Sequence, residues 1–261
     1  DLVRSRGLGD VYKRQAFGHR RYKVMAIDLA RGLTELIPNS QLIVMTDETS
    51  FFNNQPNIIA IHKPPVGILH CYHDRRFALQ AALERFSVAI AIDADTKVKH
   101  TPDLSIAWEP GLTSITENLV QHSERYAPGR LTLFRELARK LKVNLDEVSW
   151  VGEALLILKP DQGKELAFLD AWGRIARYLE LRGIHAGEGN SIGLAAAVSG
   201  LRLNTNPGLR HWLDSFQHLD ASHQAKQAPS LSQGLKRRLK FHWRLNKARV
   251  EALKDFEFYY K

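Results

Sequence analysis

Asp93 and Asp95 stand two residues apart, directly after an apolar run at residues 88–92 (Val-Ala-Ile-Ala-Ile). Carboxylates at i and i+2 are hard oxygen donors of the kind that hold Mg²⁺ or Mn²⁺, and such an ion can in turn hold a diphosphate. The run itself predicts a strand buried on both faces, as in a parallel sheet. Acidic groups at its carboxyl end fall in the crevice beyond the strand ends, where open α/β sheets place ligands. This corner is therefore expected to bind metal and nucleotide. An acidic turn after a core strand is the plain alternative, because Asp-X-Asp is a short motif.

Other candidates surround that corner. Arg75 and Arg76 open an amphipathic helix expected over residues 74–86, where two cations and a helix N-terminus suit a diphosphate. Solvated surface arginines are the alternative. Asp47 closes a strand expected over 41–46 and can accept from a ribose or base; a helix cap is the alternative. Gly187 and Gly189 flank Glu188 and allow close backbone approach to a ligand. Glu153, beside Gly152, is a second acid in a comparable setting.

The elements that must position these groups alternate. Helical spacing is expected over 22–36, 129–141, 164–182 and 191–199, and strands over 41–46, 57–61, 88–93, 150–158 and 201–204. Such alternation argues for an α/β fold with a mostly parallel central sheet flanked by helices. Residues 1–15 show neither periodicity, look non-native and adapter-like, and are set apart. Residues 16–18 are the expected stump of a truncated first strand. Residues 16–226 form the expected catalytic domain, and 227–261 a basic helical tail.

Charge is uneven. The formal net charge is +9, yet residues 16–225 balance, and the excess sits at the two ends. A nucleic-acid-binding domain would spread a basic face over its fold, so no nucleic-acid partner is expected. One cysteine, Cys71, excludes an internal disulfide and a cysteine-based zinc cluster. No apolar run approaches the ~20 residues of a membrane span. The tail places Leu235, Leu239 and Trp243 at i, i+4 and i+8 among cations, a basic amphipathic helix able to rest on an anionic membrane or to dock on the domain. A cytoplasmic location is expected, with peripheral contact at the inner membrane face.

The helix at 74–86, the apolar strand and Asp93-Ala94-Asp95 together resemble the GT-A fold of nucleotide-sugar-dependent glycosyltransferases, over roughly residues 16–226. Thr46-Asp47, Arg75-Arg76 and Gly187-Glu188-Gly189 add to the resemblance. It implies a Mn²⁺ or Mg²⁺ cofactor, a nucleotide-diphosphate sugar donor, and a glycan, lipid or protein acceptor. It implies further that Asp95 ligates the cation directly while Asp93 touches ribose or metal. His223 would be a late third ligand, with His211 and His218 competing, and Lys226 a phosphate contact. Glu188 would face the acceptor, as general base in an inverting enzyme. Rival readings are a nucleotidyltransferase, a non-catalytic nucleotide-sugar-binding scaffold, and a haloacid-dehalogenase-type phosphatase. Against the last, Lys97 stands where that motif wants Thr or Val, and two strands precede the acidic pair.

Overall fold

Apolar runs rich in Ile, Leu, Val and Ala become strands here because helices cover both faces of one sheet. The computed structural model describes residues 11–18, 20–93, 95–219 and 231–261. Its strands are β1 (Val11–Ala16), β2 (Gln41–Thr46), β3 (Ile58–His62), β4 (Ala89–Ile92), β5 (Thr96–Val98), β6 (Gly111–Thr113), β7 (Thr116–Asn118), β8 (Ser149–Val151), β9 (Leu155–Lys159), β10 (Leu203–Asn204) and β11 (Phe216–His218). Its α-helices are α1 (Arg20–Leu36), α2 (Arg75–Leu83), α3 (Leu119–Tyr126), α4 (Leu131–Leu141), α5 (Lys164–Leu181), α6 (Glu188–Ser199), α7 (Gly208–Asp214), α8 (Leu231–Ala252) and α9 (Phe256–Tyr260).

The main sheet has seven strands in the order β10-β6-β9-β4-β1-β2-β3. The ladders β1–β2, β1–β4, β2–β3 and β6–β10 are parallel. Strand β9 runs against both of its neighbours, β4 and β6. The α/β class is thus as expected, with one reversed strand in a mainly parallel sheet. Two short antiparallel pairs, β5–β11 and β7–β8, stand beside it.

Alternation along the central strands divides the core. Ile43, Met45, Ala89, Ala91, Leu156 and Leu158 pack on one face with α2, α5 and α6. Leu42, Val44, Ile90, Ile92, Leu155 and Ile157 pack on the other with α1, Trp108 and Trp212. The two-residue side-chain period of a strand sends neighbours to opposite faces, so a strand covered on both must be apolar throughout.

Two expectations are corrected. Residues 11–15, set apart as having no strand character, belong to β1, which pairs between β2 and β4. Ladder bonds are made by backbone alone, so a stretch without a hydrophobic pattern can fill the slot. The single strand expected over 150–158 is split into β8 and β9. Ser114 Oγ lies 2.8 Å from the carbonyl oxygens of both Gly152 and Leu155, which share its one hydroxyl proton, and Gly152 N–H donates to Ile115 O at 2.7 Å. These bonds hold the bend that carries Glu153. Among the described residues, no helix is long and apolar enough to cross a membrane.

Candidate active site

A cleft of about 900 Å³ opens beyond the carboxyl ends of β1, β2 and β4. Phe17 and Gly18 follow β1, Asp47 follows β2, and Asp93 follows β4; all four residues border it. The sheet therefore brings together groups that the chain keeps apart, as open α/β sheets do at their carboxyl edge.

Asp93 and Asp95 both line the cleft, with side chains 29% and 15% exposed. Strand β11 pairs with β5 just after them, and Leu219 N–H donates to Asp95 O at 2.6 Å. That pairing sets His218 Nδ1 3.4 Å from Asp95 Oδ1. Of the late histidines among the described residues, His218 is thus the one beside the acidic pair. His211 lies on α7 near His100 instead. His223 and Lys226 lie outside the described residues.

Arg75 is the hub. Its Nη2 donates to Asp93 Oδ1 at 2.8 Å, its Nη1 donates to Glu153 O at 2.6 Å, and its Nε lies 2.6 Å from Glu188 Oε1. One rigid planar fork thus joins the start of α2 to the end of β4, the β8–β9 bend and the start of α6. Burial works against its charge, but the carboxylates of Glu188, Asp93 and Glu153 outweigh that and raise its pKa.

Glu188 opens α6, where the positive end of the helix favours a carboxylate. Its side chain is only 1% exposed, and both carboxylate oxygens are sealed from solvent. Glu188 does border the cleft, but its carboxylate is paired with Arg75, and a base must come within hydrogen-bond reach of the proton it takes. Glu153 is half-buried, borders the cleft, and uses Oε1 to accept from Gly189 N–H at 2.7 Å. Nor does Gly189 leave room for a ligand. A Cβ there would lie 2.3 Å from Val151 O, so its smallness lets α6 close on β8.

Asp47 accepts from Gly18 N–H at 3.1 Å and lies 3.3 Å from the buried Lys23 Nζ. Burial would raise its pKa, but the Gly18 amide and the Lys23 ammonium hold it below the usual carboxylate value. Its carboxylate remains 40% exposed toward the cleft. Arg76 is corrected as a diphosphate contact. It is not among the cleft residues; it lies over the Phe77 ring and packs against Gly173 of α5, where a Cβ would meet its Cζ at 2.6 Å. Successive helix residues point about 100° apart, and here that turns Arg75 toward the cleft and Arg76 toward α5.

Sequence reasoning missed an entire wall. Lys240, Trp243 and Arg244 of α8 line the cleft, opposite nothing that local periodicity could identify, and Arg244 Nη1 donates to Gly67 O at 3.3 Å. Tyr22, His70 and Tyr72 add aromatic surface, with the His70 and Tyr72 rings stacked at 4.8 Å. The only available signal was the i, i+4 pair Lys240 and Arg244 within the basic tail.

Among the described residues, no group of three or more His, Cys, Asp or Glu side chains is arranged to hold a metal ion. Two carboxylates still suit Mg²⁺ or Mn²⁺, since such ions are commonly held by one or two carboxylates together with substrate phosphates and water.

No family model matches this chain, and neither does any curated protein sequence. Among solved structures the chain is similar to one described as a WbbM bifunctional glycosyltransferase in its apo form, at 13% identity with a TM-score of 0.45. That likeness covers 79% of this chain and 40% of the other, so this chain spans less than half the length of that structure. A likeness this distant carries no functional argument, and the reading of the cleft rests on its own geometry.

Proposed function

We propose that the chain is a nucleotide-sugar-dependent glycosyltransferase of GT-A-like architecture, transferring a sugar from a nucleoside-diphosphate donor to a hydroxyl acceptor. The observation that carries this reading is the pair Asp93 and Asp95 beside a cleft of about 900 Å³ at the carboxyl edge of the sheet. That volume suits a nucleotide-sized ligand, since small-molecule sites typically span roughly 300–1,000 Å³.

In this reading Asp93 and Asp95 would hold Mg²⁺ or Mn²⁺. When bound, the cation supplies Lewis-acid stabilisation of the diphosphate leaving group. Arg75 keeps Asp93 in place, and Glu188 keeps Arg75 in place. Asp47, ionised and half-exposed, accepts hydrogen bonds from the ribose or base. Lys240 and Arg244 bring positive charge to the cleft for the diphosphate, and Lys226 remains a further candidate. Glu153 takes the role of acceptor base: both acids border the cleft, but Glu153 is half-buried, whereas both carboxylate oxygens of Glu188 are sealed and held by Arg75.

Thermal-shift screening of UDP-, GDP- and CMP-sugars, each with and without Mn²⁺, tests the proposal. A rise in Tm that needs both one nucleotide sugar and the cation is the expected result. Stabilisation by phosphate or phosphate-mimic anions alone, with none by any nucleotide sugar, would overturn it in favour of a phosphatase.

A further inference from the structure

Helix α8 is about 33 Å long at 1.5 Å per residue, and its two sides differ sharply. Ala248 and Ala252, 0% and 1% exposed, face the domain. On the opposite side Leu235, Leu239, Trp243 and Val250 are 60–65% exposed. At ~100° per residue these four fall within an arc of about 80°. Exposed cations border that stripe along both edges, Lys236, Lys240 and Lys247 on one and Arg238 and Arg249 on the other. The helix carries seven basic side chains and one acidic one, Glu251.

We propose that this outer face of α8 seats the protein on an anionic membrane surface, with the apolar stripe in the headgroup boundary and the flanking Lys236, Lys247, Arg238 and Arg249 on lipid phosphates. The pattern is that of an interfacial helix, whose binding combines apolar burial with attraction to anionic lipid. Charge complementarity selects the occupant. A second copy would bring another strongly basic face against this one, and like charges repel. RNA would want a platform of several aromatic rings, whereas the stripe holds one. Because Lys240 and Trp243 also line the cleft, the seat brings the cleft mouth to the headgroup layer. Under the transfer reading, and resting on it, the acceptor is then carried by the membrane.

The seat itself is tested without any donor. The protein carries five tryptophans. Trp108, Trp172 and Trp212 are buried and Trp150 is half-buried, so Trp243, 65% exposed, is the one available to lipid. The full chain is mixed with phosphatidylcholine vesicles, with or without phosphatidylglycerol, some bearing brominated acyl chains. Co-sedimentation about tenfold stronger with anionic vesicles is expected, falling when salt is raised to about 0.5 M. Brominated lipid should quench the fluorescence, and Trp243→Phe should remove the quenching. The joint variant Leu235→Gln, Leu239→Gln and Val250→Gln, all at exposed positions, should lose vesicle binding while keeping the wild-type Tm. Equal binding to neutral and anionic vesicles, quenching that persists in Trp243→Phe, or full binding by the triple variant would each overturn the proposal. So would self-association that hides the stripe and vanishes in the triple variant. A wild-type chain that binds no vesicles but does bind a nucleotide sugar would refute the seat alone, and one that binds anionic vesicles but no nucleotide sugar would refute the transferase alone.

Discussion

Arg75 Nη2 lies 2.8 Å from Asp93 Oδ1, so the first residue of α2 fixes the first carboxylate beyond β4. The same guanidinium is 2.6 Å from Glu188, which is almost wholly buried. An ion pair in that setting organises more than it stabilises, but removing one partner leaves the other charge in a poor environment. Arg75→Ala should therefore lower stability by about 3–5 kcal/mol. Arg75→Lys should recover only part of it, since an ammonium cannot reproduce the fork. Urea denaturation measures both; an Ala variant as stable as wild type would refute the hub.

Asp95 sits differently. Its carboxylate is 15% exposed and its neighbour is His218 on the short strand β11. Asp95→Ala should abolish nucleotide-sugar turnover and the cation-dependent part of the thermal shift, while the far-ultraviolet circular dichroism stays unchanged. Turnover at the wild-type rate would remove the acidic pair from the site.

Glu180 offers a pH test. Burial is the main cause that pushes its pKa from 4.5 up to about 7, against the pull of Arg177 and the Ile68 amide. The unfolded chain ionises this carboxyl near 4.5, whereas the folded chain resists until about 7. Its contribution to stability is complete below pH 4.5 and is lost as the pH rises through 7. At about 1.4 kcal/mol per pKa unit the loss is roughly 3 kcal/mol. His73 slopes the other way: burial pushes it down to about 3, so stability from that residue falls as the pH drops below 6.5. The difference between wild type and Glu180→Gln isolates the glutamate. Across denaturation curves from pH 4.5 to 7.5, the variant should gain on wild type as pH rises. A constant difference would show that Glu180 ionises normally.

Two helical glycines should respond oppositely to alanine. A Cβ at Gly193 would lie 1.7 Å from Ser149 O, where α6 presses on β8. Gly193→Ala should cost at least about 2 kcal/mol, in the upper part of the usual range for over-packing. At Gly234 of α8 a Cβ meets nothing within 4 Å. Gly234→Ala should leave stability unchanged or raise it by up to about 1 kcal/mol through helix propensity. Calorimetric Tm values for the pair check this, and equal shifts would contradict the close α6–β8 contact.

Much of the frame is legible locally. The apolar runs in β2, β3 and β4 and the amphipathic spacing of α2 and α5 declare themselves in a window of a few residues. The bend between β8 and β9 does not, because its hydrogen bonds come from Ser114 and Ile115, far back in the chain. Arg75 and Arg76 look equivalent in sequence. Their helix turns one toward Asp93 and the other toward Gly173. Glu188 looks like an exposed turn residue between glycines, yet α6 begins on it and buries it.

The amino-acid sequence by itself determined the α/β character and put two acidic residues at the end of a buried strand, because periodicity and apolar run length depend on near neighbours alone. Tertiary structure decided that β9 runs against the sheet, that β11 carries His218 to Asp95, and that α8 walls the cleft. Those are meetings between distant segments. They depend on which surfaces fit once the core has formed, and no local pattern encodes that fit.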